Sequence, residues 1–301
     1  AGTEVAPPPY FGSRGVFGGG SQGPYTNILD YITIATTGNA TDFGDLTWAV
    51  AGPGACSNGT RGLWGGGESP DSNVIAYITI ATTGNAIDFG DLTVARYNLV
   101  GSSDGTKGLW AGGYNYSVNP GGNNIIDYVT IATTGNATDF GDLTTSKYNY
   151  GACSDGTKGL WGGGSGPLQN IDYVTVATAG NASDFGDLTV ARSGTSACSN
   201  RTRGLFGGGY ATTGVTNVID YVTIATTGNA TDFGNLTNDA YSAGRHATAA
   251  CSDGTKGAFG GGYAAWIVNV IDYVTIATPG NASDFGDLTQ ARKDYGACSG
   301  T

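Results

Sequence analysis

The 301 residues carry 24 Asp and Glu against 13 Lys and Arg, a formal net charge of −11, which argues against long-range attraction to nucleic acid or to an anionic membrane. No apolar run approaches membrane-spanning length, and aromatic and branched apolar residues are too plentiful for a disordered chain. Glycine, at 54 residues, is more than twice ordinary usage, so the fold has to organise it.

Residues 1–11 come first and are expected to form an extended arm or tail, because Pro7-Pro8-Pro9 favours polyproline geometry. The chain begins at Ala1 and has no Met, so the expectation is that an initiator residue, with or without a leader, has been removed. Residues 12–301 are expected to form a single domain of six tandem repeats. The segment Ile32-Thr33-Ile34-Ala35-Thr36-Thr37-Gly38-Asn39-Ala40 returns with its glycine at Gly38, Gly84, Gly135, Gly180, Gly228 and Gly280, spaced 46, 51, 45, 48 and 52 residues apart. Such a period belongs to solenoids or to propeller blades, and six units suit a closed ring.

Four strands are predicted per repeat. In the third unit they are Ile125 to Thr133, Phe140 to Thr144, Tyr148 to Cys153 and Gly159 to Gly162, rich in β-branched and aromatic residues and without a helical stripe. Ser154-Asp155-Gly156-Thr157 and Thr134-Gly135-Asn136-Ala137 read as turns, since Asp bonds nearby backbone and Gly tolerates positive φ. The chain stops at Ala297-Cys298-Ser299-Gly300-Thr301 and opens at Gly12-Ser13-Arg14-Gly15, two halves of one such hairpin. Pairing of those ends would remove two exposed sheet edges.

The Ser-Asp-Gly turn, the glycine triplet of Gly65-Gly66-Gly67, the third-strand tyrosines Tyr31, Tyr77, Tyr128, Tyr173, Tyr221 and Tyr273, and the fourth-strand aromatics Phe43, Phe89, Phe140, Phe185, Phe233 and Phe285 together resemble the kelch repeat. The resemblance spans residues 12–301, with Phe standing where kelch-like sequences commonly have Trp. It implies an all-β fold: a six-bladed kelch-like β-propeller with four-stranded blades, closed by pairing of the C-terminal strand with the N-terminal blade. Kelch-like propellers serve mostly as interaction scaffolds. A related copper enzyme group resembling galactose oxidase is excluded, because His246 is the single histidine. The uniform Asp-Phe-Gly-Asp-Leu-Thr form is also similar to repeats of phage and marine viral structural proteins.

Several repeated residues are candidates for function. Arg14, Arg61, Lys107, Lys158, Arg203 and Lys256 precede the second strand and should form a basic ring, either docking an acidic partner or glycan or pairing with turn aspartates such as Asp104, Asp155 and Asp253. The acid pairs, such as Asp42 with Asp45 and Asp139 with Asp142, would bind calcium or accept backbone N–H bonds in turns. Cys56, Ser103, Cys153, Cys198, Cys251 and Cys298 occupy one repeat position, expected to hold buried, reduced thiols. Trp64, Trp110 and Trp161, with Phe17, Phe206 and Phe259, are expected between blades, whereas Trp48 and Trp266 are expected to make exposed contacts. Sequons such as Asn39-Ala40-Thr41, Asn136-Ala137-Thr138, Asn229-Ala230-Thr231 and Asn281-Ala282-Ser283 fall on equivalent turns.

The least uniform segments connect second and third strands, and there Tyr114, Tyr116, Tyr210, Tyr263 and Trp266 are the expected partner or glycan contacts. The expected function is a non-enzymatic structural or adhesion component of a virus particle or tail or fibre assembly, virion-borne or extracellular; the alternative is a secreted carbohydrate-binding β-propeller. No catalytic residue, cofactor, metal, nucleic acid or membrane insertion is expected. Partners would be other structural proteins, a cell-surface receptor or glycan, or further copies of the chain.

Overall fold

The computed structural model describes residues 11–68, 70–116, 121–237 and 244–300. Apart from Phe11, the expected N-terminal arm lies outside them. Among the described residues there are strands, turns and bends but no helix.

The first sheet contains β1 (Arg14–Gly18), β2 (Ile28–Thr33) and β3 (Thr41–Asp45). The second is β4 (Gly54–Ser57), β5 (Arg61–Gly65), β6 (Val74–Thr79) and β7 (Ile87–Asp91). The third is β8 (Val100–Ser103), β9 (Lys107–Ala111), β10 (Ile125–Thr130) and β11 (Thr138–Asp142), and the fourth β12 (Gly151–Ser154), β13 (Lys158–Gly162), β14 (Asn170–Thr175) and β15 (Ser183–Asp187). Then come β16 (Arg192–Ser193), β17 (Ser196–Ser199), β18 (Arg203–Gly207), β19 (Tyr210–Ala211), β20 (Gly214–Val215), β21 (Val218–Thr223) and β22 (Thr231–Asn235). The last sheet is β23 (Ala249–Ser252), β24 (Lys256–Gly260), β25 (Val270–Thr275) and β26 (Ser283–Asp287), and the final strand is β27 (Gly296–Gly300). Six sheets have four antiparallel strands each; β16, β19 and β20 form a seventh with three. The third-unit strands sit where their residue types place them, with ends shifted by up to three residues.

The expected closed six-bladed kelch-like β-propeller is corrected by this topology. Every sheet is open, and none closes or curls on itself. Strand pairing in each four-stranded sheet stops at its first strand and at its last, and the last strand's outer edge receives a turn of the next sheet. The outer edges carry Asp42 and Asp45 and their counterparts, charges that discourage edge-to-edge association. β27 pairs antiparallel with β1, matching Arg14 to Gly300 and Gly18 to Gly296, so one sheet takes its strands from both ends of the chain.

Neighbouring sheets are joined by packing and by local hydrogen bonds. Trp64, Trp110, Trp161, Phe17, Phe206 and Phe259 are fully buried, as expected, and each such ring contributes roughly 1.5–3 kcal/mol through the apolar surface it removes from water. Gly65 makes room: a Cβ there would stand 2.9 Å from the Trp110 ring. At the periphery, each Gly-Asn-Ala turn docks on the previous sheet's last strand. The Gly84 and Ala86 N–H groups donate to the Phe43 and Asp45 carbonyls at 2.8 and 2.7 Å, and Asn85 Oδ1 accepts from Asp45 N at 3.1 Å. The same latch joins Gly38, Asn39 and Ala40 to Phe285 and Asp287.

Candidate functional site: a variable rim around a constant ring

Where the chain enters the first strand of each sheet, Gly52, Asn98, Asn149, Gly194, Ala247 and Asp294 all have φ between 54° and 66°. Their backbones form a closed cycle of hydrogen bonds. Gly52 N donates to Asp294 O, Asn98 N to Gly52 O, Asn149 N to Asn98 O, Gly194 N to Asn149 O, Ala247 N to Gly194 O and Asp294 N to Ala247 O, at 2.7 to 3.1 Å. Four of these six residues have a Cβ in left-handed geometry, a strain the cycle holds in place. Ala55, Gly101, Ala152, Ala197, Ala250 and Ala297 line the hollow beneath the ring, and small side chains let the six strands approach.

Immediately before each ring residue, the backbone pairs with the start of the loop between second and third strands. The pairs are Ala51 with Glu68, Tyr97 with Tyr114, His246 with Tyr263 and Lys293 with Ser21. Ser193 pairs with Tyr210 within the three-stranded sheet, and Ser165 N donates to Tyr148 O at 2.9 Å. The backbone arrangement repeats while the side-chain pair differs from sector to sector, with tyrosine recurring at the loop position as Tyr114, Tyr210 and Tyr263. This rim is the most diversified surface of an otherwise copied scaffold.

The expected contact residues fall on this face. Tyr114 packs its ring on Tyr97 at 5.5 Å and on Tyr148 of the next sheet at 5.0 Å. Tyr210 and Tyr263 flank His246 at 5.8 and 5.6 Å. Tyr116 is the most exposed of the five at 76%, and Tyr210 and Trp266 are each 47% exposed. Burial lowers the His246 pKa below its usual 6.5; burial, with Glu68 and Asp71 nearby, pushes that of Tyr97 up to about 12. Trp48 differs from expectation: it is partly buried against the core shared by Val50, Trp64 and Ala76.

The six basic residues lie at the opposite end of the sheets, each clamping the next one. Arg14 donates to the Ile80 and Ala81 carbonyls at 3.0 and 2.8 Å, Arg61 to Ile131 and Ala132 at 3.1 and 2.9 Å, and Lys107 to Val176 and Ala177 at 3.1 and 2.9 Å. Lys158 reaches Ile224 and Ala225, Arg203 reaches Ile276 and Ala277, and Lys256 reaches Ala35. Each cation also stands over its own sheet's tyrosine, as Arg61 does over Tyr77 at 4.6 Å from the centroid. The turn aspartates Asp104, Asp155 and Asp253 instead accept from backbone N–H groups of their own turns. At the paired acids of the fourth strand, the latch is made by backbone and Asn Oδ1. Among the described residues no group of three His, Cys, Asp or Glu is placed to hold a metal ion.

Sequence reasoning missed a set of five buried ion pairs. Arg96, Lys147, Arg192, Arg245 and Arg292 bind Asp127, Asp172, Asp220, Asp272 and Asp30 of the following sheet at 2.7 to 3.0 Å, with the carboxylates fully buried. A threonine three or more residues earlier completes each cluster, as Thr189 Oγ1 does on Asp220 at 2.5 Å. In the remaining sector both charges are missing together: Val50 replaces the cation and Ala76 the acid. That paired absence was a signal visible in the chain itself. Six cations serve as clamps and five in ion pairs, leaving Arg201 and Lys293 of the thirteen. Arg201 stands over Phe11, and Lys293 bonds Asp294.

The cysteines are free and buried, and burial raises the thiol pKa of Cys198 to about 12. Each packs against a glycine of a neighbouring second strand; a Cβ on Gly204 would lie 2.5 Å from Cys153 Sγ. In the sector without cysteine, Ser102 rather than Ser103 takes this place, opposite Leu109 as Cys56 is opposite Leu63. No protein-family model and no curated protein matches the chain.

Proposed function

We propose that the chain is a non-enzymatic structural or adhesion component of a particle or extracellular assembly, and that its variable rim docks a protein partner or cell-surface receptor. One observation carries this reading: the sheets are near copies, yet the rim pairs change from Ala-Glu to Tyr-Tyr to His-Tyr to Lys-Ser on a fixed backbone. A repeated frame with side-chain variation concentrated on one face suits recognition, whereas the clamps, latches and buried ion pairs serve the frame. Rigid aromatic anchors such as Tyr116 and Trp266 supply contact area at low entropic cost.

The test is binding of the immobilised chain to the particle or cell surface with which it is recovered. A Tyr116→Ser, Trp266→Ser double variant should weaken binding at least ten-fold without moving the thermal midpoint, while Thr133→Lys on the opposite face should leave it unchanged. Full binding by the rim variant, or loss through Thr133→Lys, would overturn the reading.

A further inference from the structure

One sector of the rim is hollow and almost wholly polar. It is bounded by Ser21, Tyr25, Glu68, Asn98, Lys293 and Asp294, residues contributed by the first, second, third and last sheets and their loops. Asn98 and Asp294 belong to the ring cycle, so their backbones are fixed at φ 54° and 55°. Lys293 Nζ bonds Asp294 Oδ2 at 2.6 Å, and the backbones of Ser21 and Lys293 exchange hydrogen bonds at 2.9 and 3.1 Å. Burial, with the Glu68 carboxylate nearby, raises the Tyr25 pKa above its usual 10.0.

These groups alternate in what they offer. Glu68 and Asp294 accept, Lys293 donates, and Asn98, Ser21 and Tyr25 each do both. A hydroxyl-bearing ligand matches such an alternation, because each hydroxyl donates to a carboxylate while accepting from an ammonium or amide. The hollow presents charges of both signs: Asp294 already pairs the Lys293 ammonium, Glu68 stands beside them, and eleven of the other twelve cations are held in clamps and ion pairs. An anionic ligand would meet Glu68, and a cationic one would meet Lys293.

We infer that this hollow, framed by Tyr25, Glu68, Asn98, Lys293 and Asp294, is a binding site for one neutral sugar residue of a glycan. It shares the rim with the proposed docking surface but uses different side chains, so the two readings fail separately.

The experiment screens the full chain on immobilised neutral oligosaccharides, with sialylated and sulphated ones alongside, followed by titration calorimetry with the strongest neutral binder. Asn98→Gly is the decisive variant. Gly52 and Gly194 already occupy equivalent ring positions, so the variant keeps the backbone while removing the amide. Asn98→Gly and Glu68→Gln should each weaken neutral-glycan binding at least ten-fold at an unchanged thermal midpoint, and Trp266→Ala should leave it within two-fold. Absence of binding to every neutral glycan, preference for the acidic ones, or binding indifferent to Asn98→Gly would overturn the assignment.

Discussion

Arg192 and Asp220 show how a single charge pair joins two sheets. The guanidinium lies 3.0 Å from the carboxylate and also donates to Phe206 O, while Thr189 holds the carboxylate through both its N–H and its hydroxyl. Burial lowers the Arg192 pKa, with Asp220 opposing the shift. Removing one partner leaves the other charge dry and unpaired, a loss of roughly 3–5 kcal/mol, whereas replacing both with apolar groups is often close to neutral. The sector of Val50 and Ala76 already has the apolar solution, with the neighbouring Trp48 packed into the same core. Asp220→Ala alone should therefore destabilise by about 3–5 kcal/mol, and adding Arg192→Val to it should restore at least half of that loss. Urea unfolding of the two single variants and the double variant checks this; a double variant as unstable as the sum of the singles contradicts it.

Gly90 and Gly280 separate two uses of glycine at the level of the strand and its latch. Gly90, in the Asp-Phe-Gly-Asp strand β7, has φ 148°, and a Cβ there would stand 2.5 Å from the Gly135 carbonyl of the docking turn. Nothing lies within 4 Å of a Cβ on Gly280, in the equivalent turn of the last sheet. Gly90→Ala should destabilise by about 1–3 kcal/mol and loosen the latch, while Gly280→Ala should be nearly silent, as measured by thermal unfolding and amide exchange of Ala137. The glycine pattern made the strands and turns legible, because chain stiffness acts locally and repeats with the sequence. The acceptors of long side chains were not legible. Arg61 could be placed before its strand, but its carbonyls at Ile131 and Ala132 lie seventy residues away in another sheet. A closed six-bladed propeller was also expected where the structure has open sheets, since a repeat period states how many units exist and leaves the joints between them undetermined. The rim aromatics were found because variation stood out against copying, whereas the polar hollow draws on distant segments that no local pattern connects.

At the scale of the molecule, the two chain ends meet in the sheet of β27 and β1, where Arg14 faces Gly300 and Gly15 faces Ser299. Trp64 Nε1 donates to Gly296 O at 3.3 Å and Ser57 Oγ to Ser299 O at 2.7 Å, so β27 is also held by the second sheet. Arg292 with Asp30 ties the same ends again. The fourth sheet differs in having its first two strands joined by Asp155, Gly156 and Thr157. Joining Thr301 directly to Ser13 places Gly300, Thr301 and Ser13 between Ser299 and Arg14, the same three-residue length as that turn. A circular permutant running from Thr157 to Thr301, then from Ser13 to Gly156, consequently divides the fourth sheet as the first is divided now and repairs the first. If the sheets are interchangeable and the ends merely mark one interrupted turn, the permutant should keep its β-sheet circular dichroism and unfold within about 5 °C of the parent, a shift of at most about 3 kcal/mol for a domain of this size. A permutant that aggregates or unfolds far below the parent would mean that the first sheet needs its free ends.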